Sequence, residues 1–479
     1  MIDLDVVERL SEHLRPTYLE YYGLLPIERT SACVRLASWH EEPDVQALDD
    51  LRLLLGAELE VVRAPEEQLR AGIRRVYGAG PLTAEGVIAG FGQGAQVRPI
   101  DELALDDLVS LANEAPVIKL VNLLLLEALE ARASDVHIEG YADKLRVRYR
   151  IDGVLQDAPS PPSHLMPAVI SRLKIMADLD IAERRVPQDG RIRLRLQDRP
   201  VDVRVATLPT LHGESVVLRL LDKDETRTSL EDLGMAEDML EAFLRVIARP
   251  HGIVLATGPT GSGKTTTLYA AVDRIRTGRE KILTVEDPVE YELPGVPQVP
   301  VNEKVGVTFA TALRALLRQD PDVMLVGEIR DPETAEIATH AALTGHLVLS
   351  TLHTNDAASA LTRLVDLGVA PYLVASTVQA VLAQRLVRTL CVDCRQPAPM
   401  HGAKGCSSCR GSGFRGRMGI YELLIMDADL QAAVMAARPA AALRQIALGG
   451  GMRSLRQDGE RQVALGRTTP AEVLRVCQE

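Results

Sequence analysis

Aromatic residues are scarce in this chain: 3% of 479 residues, with four phenylalanines and one tryptophan. Proteins that hold single-stranded nucleic acid rely on aromatic platforms for base stacking, so the shortage argues against such a binder. An excess of positive charge is lacking too. Lys and Arg number 54 against 66 Asp and Glu, a net charge of −12, which opposes sequence-independent attraction to a phosphate backbone. No apolar run reaches the length a transmembrane helix needs; even LVNLLLLEALEA at 120–131 is interrupted by Asn122 and Glu127. The opening MIDLDVVERLSEHL is acidic and amphipathic, without the basic and apolar regions of a signal peptide. A cytoplasmic protein is expected, and any membrane association must go through a partner. Cysteines number six, and four of them form two C-x-x-C pairs. In a reducing compartment that spacing suggests metal.

The strongest positive signal is HGIVLATGPTGSGKTTTLYAAV at 251–272. Ile253, Val254, Leu255 and Ala256 read as a buried strand, and Leu268, Ala271, Val272 and Ile275 recur at helical spacing. Between them Gly258, Pro259, Thr260, Gly261, Ser262, Gly263, Lys264 and Thr265 fill the G-x-x-x-x-G-K-[ST] pattern, with Thr266 following. Glycines let backbone N–H groups turn inward, and the new helix points its positive end at the same place. Lys264 is then expected to reach the β- and γ-phosphates and the Thr265 hydroxyl to ligate Mg²⁺. A nucleoside triphosphate site is expected.

The length allows about three domains. Residues 1–90 read as a small α+β domain. Val6, Val7, Leu10, Leu14 and Tyr18 suggest a first helix that Leu24–Ile27 breaks; 31–39 reads as a strand, and 43–55 and 65–76 as helices. Trp39 is expected in the core. Glycines punctuate 78–96 as a linker. A second α+β domain spans 100–225. Ile118, Val121, Leu124 and Leu125 define a helix stripe, and 134–139, 145–153, 190–196, 201–209 and 215–222 alternate as half-buried strands. Arg191, Arg193 and Arg195 share one face of the third of these. A polar hinge at 226–234 leads into a third domain, 232–479. There KILTVEDPVEY at 281–291, DPDVMLVGEIRD at 320–331 and HLVLSTLHTNDA at 346–357 add strands, each delivering polar residues at its end. Strands alternating with helices in this way describe an α/β sheet with its site along the carboxyl edge. From 430 onward the chain reads as helical.

A triphosphatase needs a carboxylate to orient or deprotonate water, and others to support the metal. Glu328, at the end of a buried apolar run, is the first candidate, and Glu286 on the neighbouring strand is the second, as base or in the metal shell. His353 and His346 are candidates for sensing the γ-phosphate or coupling the sheet to a subunit interface. Cys391, Cys394, Cys406 and Cys409 have metal-ligand spacing within each pair, with Gly411 and Gly413 permitting tight knuckles. Four thiolates close a tetrahedral shell, so a structural zinc module at 388–415 is expected. A disulfide pair or redox site is the alternative for these cysteines.

Taken in order, GPTGSGKTTT, LTVEDPVEY, RQDPDVMLVGEIRD and TGHLVLSTLHTNDA resemble the type II/type IV secretion ATPase superfamily. PQDGRIRLRL, VDVRVATLPTLHGESVVLRLL and LAQRLVRTLC narrow this to the assembly ATPases of type II secretion and type IV pili, from about Leu103 to Glu479. Retraction ATPases lack the four-cysteine module, and pilus assembly ATPases usually carry a longer N-terminal region. The likeness is therefore greatest to the traffic ATPases of the general secretory pathway E type. That resemblance implies a RecA-like P-loop ATPase domain with a zinc-binding insertion, preceded by a PAS-like α+β domain and a small N-terminal α+β domain. It also implies a homo-hexamer hydrolysing ATP, with residues 1–90 docking on the cytoplasmic domain of the inner-membrane L protein and the platform protein F as a further partner. The Walker B acid falls on Glu328, the aspartate box on 284–291 and the histidine box on 346–353. Arginines reaching the phosphates from the second domain fall on Arg204 and Arg219, with Arg191 a further candidate. The cysteine pairs lie closer together than in some relatives, and VPQVPVN at 296–302 replaces a glutamine-rich turn. The repeated leucine-glycine motif through which some related N-terminal domains bind cyclic di-GMP is absent. The alternative within the family is a type IV pilus assembly ATPase; a DNA translocase fits the charge balance poorly, and a non-hydrolysing adaptor fits the intact loop poorly.

Overall fold

The structure, a computed structural model, describes residues 14, 16–30, 33–40, 43–76, 84–89, 115–196, 199–222, 228–396 and 402–477. Most of the expected first helix, the start of the second domain near Leu103 and the first residues of the hinge lie outside them. The chain divides into two compact units. The first draws on residues within 1–150, 155–192 and 203–220, the second on 151–154, 193–202 and 221–479.

The first unit holds a three-stranded sheet of β1 (Leu24–Arg29), β2 (Cys33–Ser38) and β3 (Glu58–Arg63). Strand β1 runs antiparallel to β2, with an irregularity between Pro26 and Glu28, and β2 runs parallel to β3. The expected helices are Val45–Leu55 and Glu66–Val76. Asp44 caps the first, accepting the Ala47 N–H at 3.0 Å, and Gly56 in the left-handed region ends it. Their apolar stripes meet the sheet at Leu36, Leu51, Leu55, Leu69 and Ile73, all buried. Trp39 packs against this cluster with the Arg70 guanidinium 4.7 Å over its ring. Strands β1 and β3 were not foreseen: Pro26 argues locally against pairing, yet it sits in an edge strand where a missing N–H is tolerated. Within the expected glycine linker, Ala84–Ala89 is a short helix, because AEGVIA carries helix formers between the flanking glycines.

The same unit holds most of a six-stranded sheet, ordered β6-β5-β4-β9-β8-β7. Its strands are β4 (Ala133–Gly140), β5 (Leu145–Ile151), β6 (Val154–Asp157), β7 (Gln188–Leu196), β8 (Arg199–Thr210) and β9 (Gly213–Asp222). Alternation holds: Ile192 is buried between exposed Arg191 and Arg193. Helix Ala115–Glu130 buries Val121, Leu124 and Leu125 of the expected stripe together with Val117 and Leu120, while Ile118 is half-buried.

The second unit is built on a seven-stranded sheet, ordered β12-β11-β13-β14-β10-β15-β16. These strands are β10 (Gly252–Thr257), β11 (Ile282–Glu286), β12 (Gln298–Pro300), β13 (Val323–Val326), β14 (Leu347–Leu352), β15 (Val378–Leu390) and β16 (Phe414–Ile425). All neighbours run parallel except the last pair, β15 and β16. Continuous apolar runs make these central strands because helices cover both faces. Ile253, Leu255, Met324, Val326 and Val348 enter the core on one face; Val254, Ala256, Val323, Leu325 and Leu349 enter the core on the other. Parallel strands bring every carboxyl end to one edge, where the loops after β10, β13 and β14 meet. Antiparallel β15 and β16 form a long ribbon with Gln384 opposite Tyr421. Beyond it the C-terminal region is helical as expected, with four helices between Ala428 and Val476. Among the described residues no helix is long and apolar enough to cross a membrane.

Candidate active site

Strand β10 ends at Thr257, whose hydroxyl lies 2.7 Å from Thr354 Oγ1 and accepts the Thr354 N–H at 2.9 Å. That joins the start of the phosphate loop to the segment leaving β14. The loop then turns through Gly258 and Gly261 to Gly263, which caps helix Lys264–Ile275. Gly258 has φ +149°, and a Cβ there would lie 2.6 Å from both the Gln384 carbonyl oxygen and Ser262 Oγ, so no other residue fits. The Lys264 ammonium folds into the cradle, donating to the carbonyls of Gly258 at 2.8 Å and Pro259 at 3.1 Å. Burial lowers its pKa to about 8, Glu328 pulls it back up, and Arg385 presses it further down. Thr265 and Thr266 are exposed at the first turn of the helix, where a hydroxyl is free to meet a metal-bound phosphate.

Glu328 follows β13 and is 8% exposed. Its Oε1 accepts from the Arg330 guanidinium at 2.6 Å, and its Oε2 lies 3.3 Å from His353 Nε2. Arg330 and His353 are both exposed, so the carboxylate sits at the floor of an open, polar edge. Asp331, in the same motif, is spent on structure: it caps helix Pro332–Leu343, accepting the Thr334 N–H at 2.8 Å.

Glu286, at the end of β11, is fully engaged. The hydroxyls of Tyr269 and Thr284 donate to its carboxylate, and Gln298 Nε2 donates to its Oε1 at 3.1 Å. In the sheet β11 is separated from β10 by β13 and β14. Tyr269 projects from the helix that leaves the phosphate loop, so this buried network ties that helix to β11. Burial and the acid partner hold the Tyr269 hydroxyl well above its ordinary pKa.

The two histidines part company. His353 stands at the carboxyl end of β14 beside Glu328. His346 precedes β14, with Nδ1 2.9 Å from the Ala341 carbonyl oxygen and 3.1 Å from Thr344 Oγ1. A six-residue strand separates the two, about 20 Å at strand rise. His346 therefore stands at the opposite edge of the sheet from the phosphate loop, so of the two roles expected of it, sensing the γ-phosphate does not fit.

The four cysteines converge. Cys391 and Cys406 sulfurs are 3.8 Å apart, Cys394 and Cys409 3.7 Å, and Cys406 and Cys409 3.7 Å. All four sulfurs lie within 4.8 Å of one another. An edge of about 3.8 Å is what a tetrahedral four-thiolate shell with metal–sulfur bonds of about 2.3 Å requires. A disulfide needs about 2.05 Å, so these separations fit ligands rather than bonds. The N–H groups of Cys406 and Gly413 point at Cys409 Sγ from 3.1 and 3.3 Å. Gly405, at φ +85°, lets the knuckles close, since a Cβ there would meet the Gly411 carbonyl oxygen at 2.4 Å.

Against this geometry, the family described as "Type II/IV secretion system protein" matches residues 110–475. The chain belongs to that family. The chain is 55% identical over 384 residues to "Type II secretion system protein HxcR" of Pseudomonas aeruginosa, covering 80% of this chain and 82% of the relative. It is 42% identical over 494 residues to "Type IV pilus assembly ATPase PilB" of Myxococcus xanthus, covering 98% and 87%. In fold it is similar to the ATPase DotB of Legionella pneumophila, at a TM-score of 0.58 and 21% identity over 74% of this chain and 94% of that one. The secretion-ATPase family thus accounts for the mixed α/β architecture and its RecA-like sheet.

Within that family setting, sequence reading missed four residues that the fold brings to the loop or to Glu286. Gln384 Nε2 donates to the Ser262 carbonyl at 2.7 Å, holding the loop from β15, and Arg385 beside it packs on Gly258. Tyr269 and Gln298 hold Glu286. LAQRLVRTLC carries only a resemblance when read as sequence; a buried glutamine and a half-buried arginine directly after the apolar run AVLA are the signal that polar partners await them. Arg219, one of the arginines expected at the phosphates, donates to Asp135 Oδ1 at 3.0 Å across β9 and β4. Arg204 is half-buried on β8.

Proposed function

We propose that this chain is a secretion traffic ATPase of the general secretory pathway E type. It hydrolyses ATP to ADP and phosphate on the cytoplasmic face of the inner membrane and drives assembly of a type II secretion pseudopilus. The observation that carries the reading is the joint placement of Lys264 in the phosphate cradle and Glu328, flanked by Arg330 and His353, at the same carboxyl edge. In this role Lys264 leaves the loop carbonyls for the β- and γ-phosphates. Glu328 accepts a proton from the attacking water, and His353 orients its carboxylate from the strand next door. Thr265 holds magnesium, which neutralises charge on the phosphate chain when bound. Glu286, tied to the loop's helix by Tyr269, supports the metal shell rather than meeting water directly. Cys391, Cys394, Cys406 and Cys409 hold one structural zinc, a closed shell with no catalytic position.

The chain works as a hexamer, with residues 1–90 docked on the cytoplasmic domain of the inner-membrane L protein and the platform protein F as the element pushed. Arg204 and Arg219 add positive charge at the phosphates, so Arg204→Ala or Arg219→Ala lowers turnover at least about tenfold while binding stays within a few-fold. A second reading, pilus assembly, is supported by the pilus relative's coverage of nearly the whole chain. Two measurements test the proposal. Phosphate release that persists in Lys264→Ala rejects the site. Co-purification with a pilus platform, and not with a type II L cytoplasmic domain, rejects the secretion assignment in favour of the pilus one.

A further inference from the structure

Arg385 occupies an unusual place. It lies on β15, one residue beyond Gln384, whose amide holds the Ser262 carbonyl. Its guanidinium crosses the end of β10: Nη1 is 3.1 Å from the position of a Cβ on Gly258, the first glycine of the loop. Nη1 donates to the Gln384 carbonyl at 3.0 Å. Nη2 donates to the Asn355 carbonyl at 2.8 Å and lies 3.4 Å from Asn355 Oδ1. Asn355 is two residues past His353, on the segment already stitched to β10 by the Thr257–Thr354 pair.

Every one of these acceptors is a neutral oxygen, and no described carboxylate lies within ion-pair distance of Arg385. Burial lowers the pKa of this half-buried guanidinium, and Cys477, Glu422 and Asp356 act on it only without direct pairing, so it carries a desolvation cost that a purely structural link would not need. Its charge is felt inside the cradle. The charged groups acting on the Lys264 ammonium are Glu328, from the segment after β13, and Arg385, from β15, and they act with opposite sign.

We propose that Arg385 is a positioning residue for ATP hydrolysis: it fastens the His353 segment to the phosphate loop and adds a fixed cation behind Lys264. Resting on the ATPase reading above, it makes the alignment of His353 on Glu328 depend on the loop's own conformation. When the loop opens for phosphates, the bridge through Asn355 carries that movement to His353. A lysine at 385 keeps the charge and one donor for the Asn355 carbonyl, but loses the fork that spans two strands.

The test uses the full-length chain with Arg385→Ala and Arg385→Lys, checked for thermal transition and bound zinc. Arg385→Ala is expected to lower kcat at least about tenfold with KM for ATP within about threefold. It is also expected to move the pH midpoint of ATP affinity upward, because a cation beside Lys264 has been removed. Arg385→Lys is expected to restore the midpoint and much of kcat. A kcat within about twofold of wild type in Arg385→Ala overturns the inference. So does a fall in kcat with an unmoved midpoint and no rescue by lysine, the signature of a packing defect. Wild-type protein without any ATP hydrolysis would instead defeat the functional reading on which this one stands.

Discussion

Glu328 and His353 meet at 3.3 Å, carboxylate Oε2 to imidazole Nε2, across the ends of adjacent parallel strands. Val326 pairs with Ser350 in that register, so the residues just beyond each strand emerge at one edge and face each other. Glu328→Gln keeps size and hydrogen bonding but cannot take a proton. Turnover is expected to fall by about 10²–10⁴, with ATP binding kept. His353→Ala, which removes only the orienting partner, should cost less. Single-turnover hydrolysis at saturating ATP measures both, and wild-type turnover in Glu328→Gln shifts the base to Glu286.

Lys264 gives the site a pH dependence. Its free-state pKa, lowered to about 8 by burial and by Arg385 against the pull of Glu328, should rise once phosphates surround it. ATP affinity is therefore full below pH 8 and falls as the pH climbs through 8, by up to about tenfold per unit until the bound-state value is reached. Nucleotide titrations between pH 7 and 9.5 check this, and binding above pH 8 should take up protons. Affinity that is flat over that range contradicts the buried-lysine geometry.

The cysteine cluster should hold close to one equivalent of zinc in freshly purified, reduced protein. Its binding contributes on the order of 10 kcal/mol of local folding free energy. Cys409→Ala removes the sulfur at which two backbone N–H groups point and should lose the metal. Chelation should expose the segment around 391–409 to protease first, leaving the phosphate loop's helix protected. Less than about half an equivalent of metal by elemental analysis counts against the site.

Acid should loosen the C-terminal helix Pro470–Val476. Burial pushes the Glu472 carboxyl upward, but hydrogen bonds from Arg388 and Arg475 outweigh it and hold the pKa at about 2. A depressed carboxylate stabilises the fold above its unfolded pKa, ordinarily near 4.5, and that contribution is lost as the pH falls through 2. Glu472→Gln should cost about 2 kcal/mol near neutral pH. The gap between wild-type and variant thermal transitions should then narrow steadily between pH 5 and 2. A gap that does not change over that interval removes the ion pairs from the account.

Much of the catalytic edge was legible in the chain because it is written locally. A phosphate loop is one contiguous turn between a buried strand and a helix, so Gly258 to Thr265 declare themselves. Buried parallel strands must be apolar on both faces, so β10, β11, β13 and β14 show as unbroken runs ending in their polar residues, Glu328 and His353 among them. The C-x-x-C spacing likewise fixes which sulfurs lie close within each knuckle. Tertiary structure decided everything that depends on strand order. Only the order β11-β13-β14-β10-β15 puts Glu328 two strands from the loop, gives Glu286 to Tyr269 and Gln298, and carries Gln384 and Arg385 under Gly258. That His346 lies at the far end follows from the strand itself, since a residue before a strand and one after it cannot share an end. One such contact joins Gln384 and Ser262, 122 positions apart, and no local pattern encodes which distant strand will pack alongside.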